Sequence, residues 1–305
     1  MEARALTSGR VVAVVLLAAG LGAFRGDGDQ AVRIEVDGLA RTYLLHVPPG
    51  PREKRPLVVL LHGRLGTGAG EARLSDFDPI ADSVGALVAY PDGIRRSWAD
   101  GRLGTPADKR GIDDVGFFRA LVADVAAREP VDSSRIYVAG MSNGAFMTER
   151  LACDASDLIA AAGVVAGTLS DSLAARCRPT RPVPVMLMNG TADPLVPYGG
   201  GDLSGGRGHT LSVAETVAHW ASWNGCAAAP ASRILPDTAH DGTTVTEERY
   251  GHCRDRADVV ELTITGGGHT WPGGPQYLPA RFIGPASRNL DGSRTLWTFF
   301  SEHGR

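Results

Sequence analysis

The fold of this chain is decided by one stretch, Arg135-Ile136-Tyr137-Val138-Ala139-Gly140-Met141-Ser142-Asn143-Gly144. Residues 135–139 predict a strand, and a helix is predicted from Gly144 to about residue 152. Between them lies the pattern Gly-x-Ser-x-Gly, whose glycines let the backbone turn tightly enough to lift the serine hydroxyl out of a sheet. The pattern is common by itself, but its place between a strand and a helix makes Ser142 a candidate nucleophile.

Strands and helices are predicted to alternate on both sides of this stretch. An antiparallel hairpin is predicted for residues 32–36 and 41–47, at the edge of the sheet. The apolar run 57–61 predicts a central strand that is buried on both faces. Further strands are predicted at residues 86–90, 160–165, 183–188, 243–250 and 259–264, and helices at 77–84, 113–128, 212–223 and 293–303. The fold class is therefore α/β, with a mostly parallel central sheet flanked by helices.

Length and composition fit an ordinary globular enzyme. With 305 residues, of which 43% are hydrophobic, the chain can bury the core of one large α/β domain or two small ones. Residues 30–305 are predicted to form one domain because no linker-like segment divides them. The formal net charge is −3, and no basic cluster occurs outside the extreme N-terminus, so nucleic acid is not expected as a partner.

Residues 1–29 predict a signal peptide or an N-terminal anchor. An apolar run from Val11 to Phe24 follows Arg4 and Arg10, which is the layout of an export signal. The run is shorter than the roughly 20 residues that a membrane-spanning helix needs. We therefore expect a secreted, extracellular protein that contacts a membrane only if this segment stays uncleaved. The cleavage position is left open. The alternative that the start codon is misassigned is also left open.

The four cysteines predict disulfide bonds. They contain no Cys-x-x-Cys pair, which argues against a zinc site or a redox motif. In an exported protein an even number of cysteines favours disulfides over free buried thiols. Three pairings are possible, and Cys153 with Cys177 and Cys226 with Cys253 is favoured because each of these pairs closes a modest loop between predicted elements.

A serine nucleophile needs a histidine base and an acid that orients it, and their order along the chain is a test. In folds with a nucleophile elbow, the acid follows the serine and the histidine follows the acid, each after a later strand. Asp193 and His269 satisfy this order, since each directly follows a predicted strand. Asp171 and Asp202 are alternatives for the acid, whereas the other histidines lack the context of a late strand end.

Two backbone amides are candidates for an oxyanion hole, which stabilises the negative charge that develops on an attacked carbonyl. The segment His62-Gly63-Arg64 follows the predicted central strand and offers the amide of Arg64 or Gly63. The second amide is expected from Asn143, directly after the nucleophile. The Arg64 side chain either contributes to the site or is solvated at the surface.

Two tryptophans are candidates for contact with substrate. Residues 95–111 are rich in glycine, arginine and aspartate and predict a surface loop that contains Trp98. Trp271 lies two residues after the proposed base. Either indole can stack on a phenolic or sugar ring, or else covers the edge of the core.

Six motifs are distributed over residues 32–303, namely Leu61-His62-Gly63, Tyr90-Pro91-Asp92-Gly93, Asp113-Asp114-Val115-Gly116-Phe117, Gly140-Met141-Ser142-Asn143-Gly144, Asn189-Gly190-Thr191-Ala192-Asp193 and Gly267-Gly268-His269-Thr270-Trp271-Pro272-Gly273. Together they resemble the polyhydroxybutyrate depolymerase and feruloyl esterase family of secreted esterases, which is similar to carbohydrate esterase family 1. The resemblance implies an α/β-hydrolase fold, a triad of Ser142, Asp193 and His269, no metal, no cofactor, and ester hydrolysis through an acyl-enzyme. Arg64-Leu65 replaces smaller residues of some relatives, which bears on the shape of the acyl pocket.

The sequence thus favours a serine-type carboxylic ester hydrolase. Its expected substrates are hydroxyalkanoate esters or the feruloyl and acetyl esters of polysaccharide. Small or soluble esters are favoured over polymer granules because no separate polymer-binding module is visible. The alternative is a non-catalytic extracellular binding protein that has kept the hydrolase fold. The natural ester and the oligomeric state are left open.

Overall fold

A ten-stranded sheet runs through the computed structural model, which describes residues 29–203 and 205–305. The strands in this part of the chain are β1 (Gln30–Val36), β2 (Leu39–His46), β3 (Arg55–Leu61), β4 (Leu87–Pro91), β5 (Val131–Met141), β6 (Ala161–Val165), β7 (Val185–Gly190), β8 (Gly201–Asp202), β9 (His209–Thr210), β10 (Ala231–Ile234), β11 (Thr244–Tyr250) and β12 (Val259–Thr265). The order in the sheet is β1-β2-β4-β3-β5-β6-β7-β12-β11-β10, while β8 and β9 pair only with each other. Strands β4, β3, β5, β6, β7 and β12 run parallel, so their carboxyl ends meet at one edge.

Helices cover both faces of this sheet. Their bounds are α1 (Gly68–Ser75), α2 (Asp78–Val84), α3 (Asp114–Arg128), α4 (Asn143–Asp154), α5 (Asp171–Ala174), α6 (Val213–Asn224), α7 (Ala280–Ile283) and α8 (Gly292–Ser301). Helices α3, α4 and α6 bury apolar side chains against one face, and α2 and α8 bury theirs against the other. The predicted α/β class with a mostly parallel sheet is confirmed.

The predicted hairpin and central strand are also confirmed. Strands β1 and β2 pair in antiparallel register across a turn at Asp37 and Gly38, both of which have positive φ, and β1 lies at the edge of the sheet. Every residue of β3 is buried, as a run of apolar residues without alternation predicts.

Some elements gave no usable sequence signal. The buried face of α1 consists of Gly68, Glu71 and Ser75, so the helix has no apolar periodicity. All four residues of β10 are exposed, and the strand is held by its backbone pairing with β11. In both elements, contacts with distant parts of the chain stabilise a segment that has no recognisable local sequence pattern.

The structure joins Cys153 to Cys177 and Cys226 to Cys253, the pairing favoured from the loop lengths. The first bond ties the end of α4 to the segment after α5, and the second ties the end of α6 to the segment after β11. The segment 1–29 predicted as a signal or anchor lies outside the described residues except for Asp29. Within the described ranges, no helix combines the length and apolarity that crossing a membrane requires.

Three fully buried carboxyl groups have no ion-pair partner in the described part of the chain. They belong to Glu71, Glu149 and Glu261, and each has one oxygen without a hydrogen-bond partner there. Burial raises the pKa of Glu71 and of Glu149 to about 8, and it raises the pKa of Glu261 well above its ordinary value. These groups are therefore protonated in the folded protein at mildly acidic pH, whereas in the unfolded chain they are ionised.

This difference predicts that stability falls as pH rises from about 4.5 to about 8. In that window the folded state binds more protons than the unfolded state, so raising the pH favours unfolding. Replacing Glu149 with glutamine removes one titrating group and keeps an acceptor for the Trp220 indole N–H, which donates to Glu149 at 2.6 Å.

We expect Glu149→Gln to melt at a higher temperature than wild type at pH 8, with a gain on the order of 3 kcal/mol, and to show a smaller difference at pH 5. Thermal unfolding, followed by circular dichroism at pH 5 and at pH 8, measures this difference in stability. Glu53→Gln is the matched control because Glu53 is exposed in a loop. An equal effect of Glu149→Gln at the two pH values would contradict a raised pKa of Glu149 in the folded protein.

Candidate active site

Ser142 lies in a strained turn between β5 and α4. Its φ of 57° and ψ of −119° are rare for a residue with a side chain, and such backbone strain concentrates at functional sites. The flanking glycines are required by close backbone contacts. A Cβ atom on Gly144 would lie 1.9 Å from the carbonyl oxygen of Leu61, and one on Gly140 would lie 2.7 Å from the same oxygen. The turn therefore has the tight geometry that the predicted nucleophile elbow requires, and Ser142 remains half-buried rather than enclosed.

His269 and Asp193 form a buried hydrogen-bonded pair. Nδ1 of His269 lies 2.7 Å from Oδ2 of Asp193, and both side chains are almost inaccessible to solvent. The other carboxylate oxygen of Asp193 accepts the backbone N–H groups of Leu195 at 2.7 Å and Val196 at 2.9 Å. Both oxygens thus have fixed partners, so the carboxylate orientation is set and Nδ1 of His269 carries its proton toward Asp193.

The two loops that carry this pair are bonded to each other. Asp193 follows β7 and His269 follows β12, which are parallel neighbours in the sheet. The amide of Ala192 donates to the carbonyl of Gly267 at 2.8 Å. A Cβ atom on Gly190 would lie 2.3 Å from that same carbonyl oxygen, so a glycine is needed for the contact. This backbone contact brings the predicted acid and base together.

The two amides predicted for an oxyanion hole belong to Arg64 and Asn143. Asn143 is the first residue of α4, where backbone N–H groups have no acceptor within the helix. The amide of Arg64 donates to no other described residue, whereas the amide of Leu65 donates to the carbonyl of Arg96 at 2.8 Å. Arg64 and Asn143 as the oxyanion donors remain a prediction.

His62 shapes the turn that carries Arg64. Its Nε2 accepts the amide N–H of Gly93 at 2.9 Å, so Nδ1 carries the proton and donates to the carbonyl of Gly63 at 2.8 Å. Burial lowers the pKa of His62, which keeps the ring neutral. His62 therefore fixes this loop and is not a second base.

The side chain of Asn143 has a structural function that sequence reasoning missed. Its oxygen accepts the amide of Trp98 at 2.8 Å, and its nitrogen donates to Asp100 at 2.5 Å. A second carboxylate, that of Asp114, accepts the amide of Ala99 at 2.7 Å. The prediction of a surface loop is wrong for residues 97–100, which are buried because polar side chains of α3 and α4 satisfy their backbone. Asp100 and Asp114 could have been suspected from a tryptophan inside a polar loop and from the paired acids at 113–114.

The prediction that Trp98 and Trp271 contact substrate is wrong. Each is 1% exposed. The indole N–H of Trp98 donates to the carbonyl of His62 at 2.8 Å, and that of Trp271 donates to Ser293 at 3.0 Å. Both rings are buried and both indole N–H groups have an acceptor. Neither ring therefore offers an exposed face on which a substrate could stack.

A small pocket opens beside Ser142. Its wall includes Leu195 and Val196, the two residues whose amides bond to Asp193, so the pocket connects the serine to the Asp193 loop. Its described lining residues are Arg64, Arg102, Gly104, Thr105, Ser142, Asn143, Leu195, Val196, Leu203 and Arg207. None of these is aromatic.

Among the described residues, the side chains that lie close enough together to bind a metal ion are those of Asp29, His46 and Asp78. This group lies away from Ser142. His46 ends β2 opposite Val88, near the start of β4, and so lies at the amino end of the parallel strands. Ser142, Asp193 and His269 all follow the carboxyl ends of strands, where ligands bind in open α/β sheets.

Comparison with known proteins identifies the family. Residues 41–198, just over half of the chain, match the family described as Esterase PHB depolymerase. The chain is also 34% identical over 284 residues to "Putative esterase NocK" of Nocardia uniformis subsp. tsuyamanensis, an alignment that covers 88% of this chain and 81% of that protein. The chain belongs to the PHB depolymerase esterase family. This esterase is an enzyme that hydrolyses carboxylic esters.

Other relatives of the esterase differ in size. It is 31% identical to Feruloyl esterase B of Piromyces equi over 70% of this chain and 39% of that protein. The match to Poly(3-hydroxyalkanoate) depolymerase C of Paucimonas lemoignei is 33% identical and covers 40% of this chain and 30% of that protein. The chain thus spans less than half of either relative.

Solved structures share the fold of the esterase. Acetyl xylan esterase from Aspergillus awamori superposes with a TM-score of 0.56 at 19% identity, over 85% of this chain and 93% of that chain. A thermostable esterase superposes with a TM-score of 0.57 at 17% identity, over 91% of this chain and 63% of that one. At this identity the likeness establishes the α/β-hydrolase fold alone.

Proposed function

We propose that this esterase is a serine hydrolase in which Ser142 is the nucleophile, His269 the general base and Asp193 the residue that orients the base. The observation that carries the proposal is the buried 2.7 Å hydrogen bond between His269 and Asp193, on the same edge of the sheet as a serine in a strained elbow. Because Nδ1 of His269 is protonated toward Asp193, Nε2 is left as the acceptor for the serine proton.

The reaction then proceeds through an acyl-enzyme. The Ser142 oxygen attacks the ester carbonyl carbon while His269 takes its proton, and the carbonyl oxygen becomes an oxyanion near the amides of Arg64 and Asn143. Collapse of this intermediate breaks the bond to the alcohol oxygen, which receives the proton from His269. Water attacks the acyl-Ser142 carbonyl by the same sequence, releasing the acid and restoring the serine.

We infer short aliphatic acyl groups as the substrate class. Leu195, Val196 and Leu203 form an apolar wall beside Ser142, and the described lining contains no aromatic ring to stack on a feruloyl group. Two relatives have names that fit such acyl groups, the depolymerase named for poly(3-hydroxyalkanoate) and an acetylxylan esterase. A purely binding protein is not favoured, because the chain belongs to an esterase family.

We also infer that residues 1–29 direct export and that residues 30–305 form the catalytic domain of a secreted enzyme. Two disulfide bonds support this inference, because disulfides persist in oxidising compartments outside the cytosol.

The proposal is tested by covalent labelling together with a substrate panel. A fluorophosphonate probe is expected to add once to the protein, and peptide mass spectrometry is expected to locate it on Ser142. Nitrophenyl acetate and nitrophenyl butyrate should be hydrolysed much faster than methyl ferulate. Labelling at another serine would overturn the nucleophile, and faster cleavage of methyl ferulate would overturn the acyl class.

A further inference from the structure

His269 is held through its backbone as well as through its side chain. Its amide donates to the carbonyl of Ile283 at 2.5 Å, and its carbonyl accepts a hydrogen bond from the hydroxyl of Tyr277 at 2.9 Å. Its Nδ1 is bonded to Asp193. Three of the four polar atoms of His269 therefore have fixed partners, and the fourth, Nε2, is the atom proposed to accept the serine proton.

The residues directly before His269 contribute little rigidity of their own. They are three glycines, residues 266–268, and a glycine leaves the backbone free to adopt many conformations. Another part of the chain encloses Gly268, since a Cβ atom there would lie 2.2 Å from the carbonyl oxygen of Ile283 and 2.4 Å from the Cα atom of Gly284. The amide of Gly268 also donates to the carbonyl of Pro285 at 2.8 Å. The backbone at His269 is thus positioned by the segment that contains Ile283.

That segment, residues 276–286, is closed on itself by the side chain of Gln276. Its Nε2 donates to the carbonyl of Leu278 at 2.7 Å and to that of Gly284 at 3.0 Å. Its Oε1 accepts the amide of Ala286 at 2.8 Å. These three hydrogen bonds join the two ends of the 276–286 segment.

Much of the 276–286 segment faces solvent. Every residue from 275 to 282 is exposed, whereas Ile283 is buried. Regions with few core contacts open locally at little cost, so a single hydrogen bond has a large influence on their position. The hydroxyl of Tyr277 provides such a bond between this exposed segment and the carbonyl of His269.

The surroundings of the Tyr277 hydroxyl keep it protonated. Burial of this group raises the pKa of Tyr277, and the negative charge of Asp193 raises it further. The hydroxyl is therefore a hydrogen-bond donor throughout the pH range in which a neutral His269 can act as a base. The influence of Asp193 also indicates that the phenol lies beside the pair formed by Asp193 and His269.

We propose that Tyr277 is a positioning residue for the general base. By fixing the carbonyl of His269, its hydroxyl sets the direction in which Nε2 points toward Ser142. This inference rests on the proposed function, in which His269 is the base. The effect on the rate is substantial because a displacement of about 1 Å in a catalytic group can cost about 10²-fold.

Tyr277→Phe tests the proposal, since it removes the hydroxyl and keeps the exposed ring. We expect kcat for nitrophenyl butyrate to fall about five- to tenfold, the factor that one hydrogen bond contributes. KM should not change, because the pocket beside Ser142 stays intact. The melting temperature should stay close to that of the wild type, because the bond lies in an exposed segment. Initial rates over a range of substrate concentrations and thermal unfolding measure these quantities.

Tyr137→Phe is the matched control. The hydroxyl of Tyr137 donates to the carbonyl of His303 at 2.7 Å, so the same kind of hydrogen bond is lost, but inside the core and away from the proposed base. This variant should show the opposite pattern, with a lower melting temperature and an unchanged kcat, because a buried carbonyl is left without its donor.

The same substitution in a His269→Ala protein distinguishes positioning of the base from direct contact with substrate. Without the imidazole, the residual rate comes from substrate binding and the oxyanion donors. If Tyr277 acts through His269, adding Tyr277→Phe should leave that residual rate unchanged, since residues that act as a unit do not have additive effects. A further five- to tenfold loss would show that Tyr277 acts on the substrate itself and would overturn the proposal.

Two other results would also overturn the proposal while leaving the proposed function intact. One is a kcat of Tyr277→Phe equal to that of the wild type, and the other is an equal loss of kcat in Tyr137→Phe. A His269→Ala protein that kept more than about one hundredth of the wild-type rate would instead overturn the proposed function, because the base would then be a different residue.

Discussion

Replacing Ser142 with alanine is expected to lower kcat for nitrophenyl butyrate by about 10⁴- to 10⁶-fold, as in hydrolases that lose their nucleophile. The substitution removes the oxygen that forms the acyl-enzyme and leaves the remaining groups without an attacking atom. Binding should change little, because the pocket wall and the oxyanion amides stay in place. Initial rates measured over a range of substrate concentrations separate kcat from KM.

Ser301→Ala is the matched control for this experiment. Ser301 is exposed at the end of α8, where its hydroxyl donates to the carbonyl of Thr298 at 2.8 Å, so the same chemical change is made far from the pocket. The control should keep wild-type activity and fluorophosphonate labelling. A Ser142→Ala protein that retained more than about one hundredth of the wild-type rate would contradict a covalent mechanism at this residue.

Asp193→Asn is expected to lower kcat by about 10⁴-fold with little effect on folding. The reason lies in the partners of the two carboxylate oxygens. Oδ1 accepts the amides of Leu195 and Val196, so an asparagine must place its oxygen there and turn its NH₂ group toward His269. The NH₂ group donates to Nδ1, which moves the imidazole proton to Nε2. His269 then has no lone pair on Nε2 with which to accept the serine proton.

Two further aspartates supply the controls for this prediction. Asp202 and Asp171 are the alternatives that the order along the chain leaves open, and both are exposed, with Asp171 paired to His209. Asp202→Asn and Asp171→Asn are expected to keep near wild-type kcat. A kcat near that of the wild type in Asp193→Asn, or a comparable loss in either control variant, would contradict the assignment of Asp193 as the residue that orients the base.

The residues of the proposed triad were open to prediction because their constraints are local. A serine between two glycines that ends a strand, an acid after a later strand and a histidine after a glycine run each leave a short signature. Gly140 and Gly144 show why the signature is strict, since a side chain at either position would collide with the Leu61 carbonyl. The order of the strands then brings the three residues to one edge of the sheet.

The pocket beside Ser142 had no such signature. Arg64, Arg102 and Arg207 lie on three loops that are far apart in the chain, and an arginine in a polar loop is ordinarily solvated. The prediction that Trp98 and Trp271 contact substrate failed for a related reason. A tryptophan in a loop near the site indicates contact with substrate only if its ring is exposed, and here the carbonyl of His62 and the hydroxyl of Ser293 draw the two indoles inward.

The sequence by itself determined the α/β class, the central strand β3, the tight turn at Ser142 and the family, because each depends on residue types at fixed short spacing. Only the tertiary structure decided that residues 97–100 are buried, that both tryptophans face inward, and that three arginines meet beside Ser142. Those features depend on long-range contacts, such as that of Asn143 with Asp100 and that of Gly104 with Arg207. No local pattern encodes such contacts, since burial of a polar loop becomes favourable only when distant side chains satisfy its backbone.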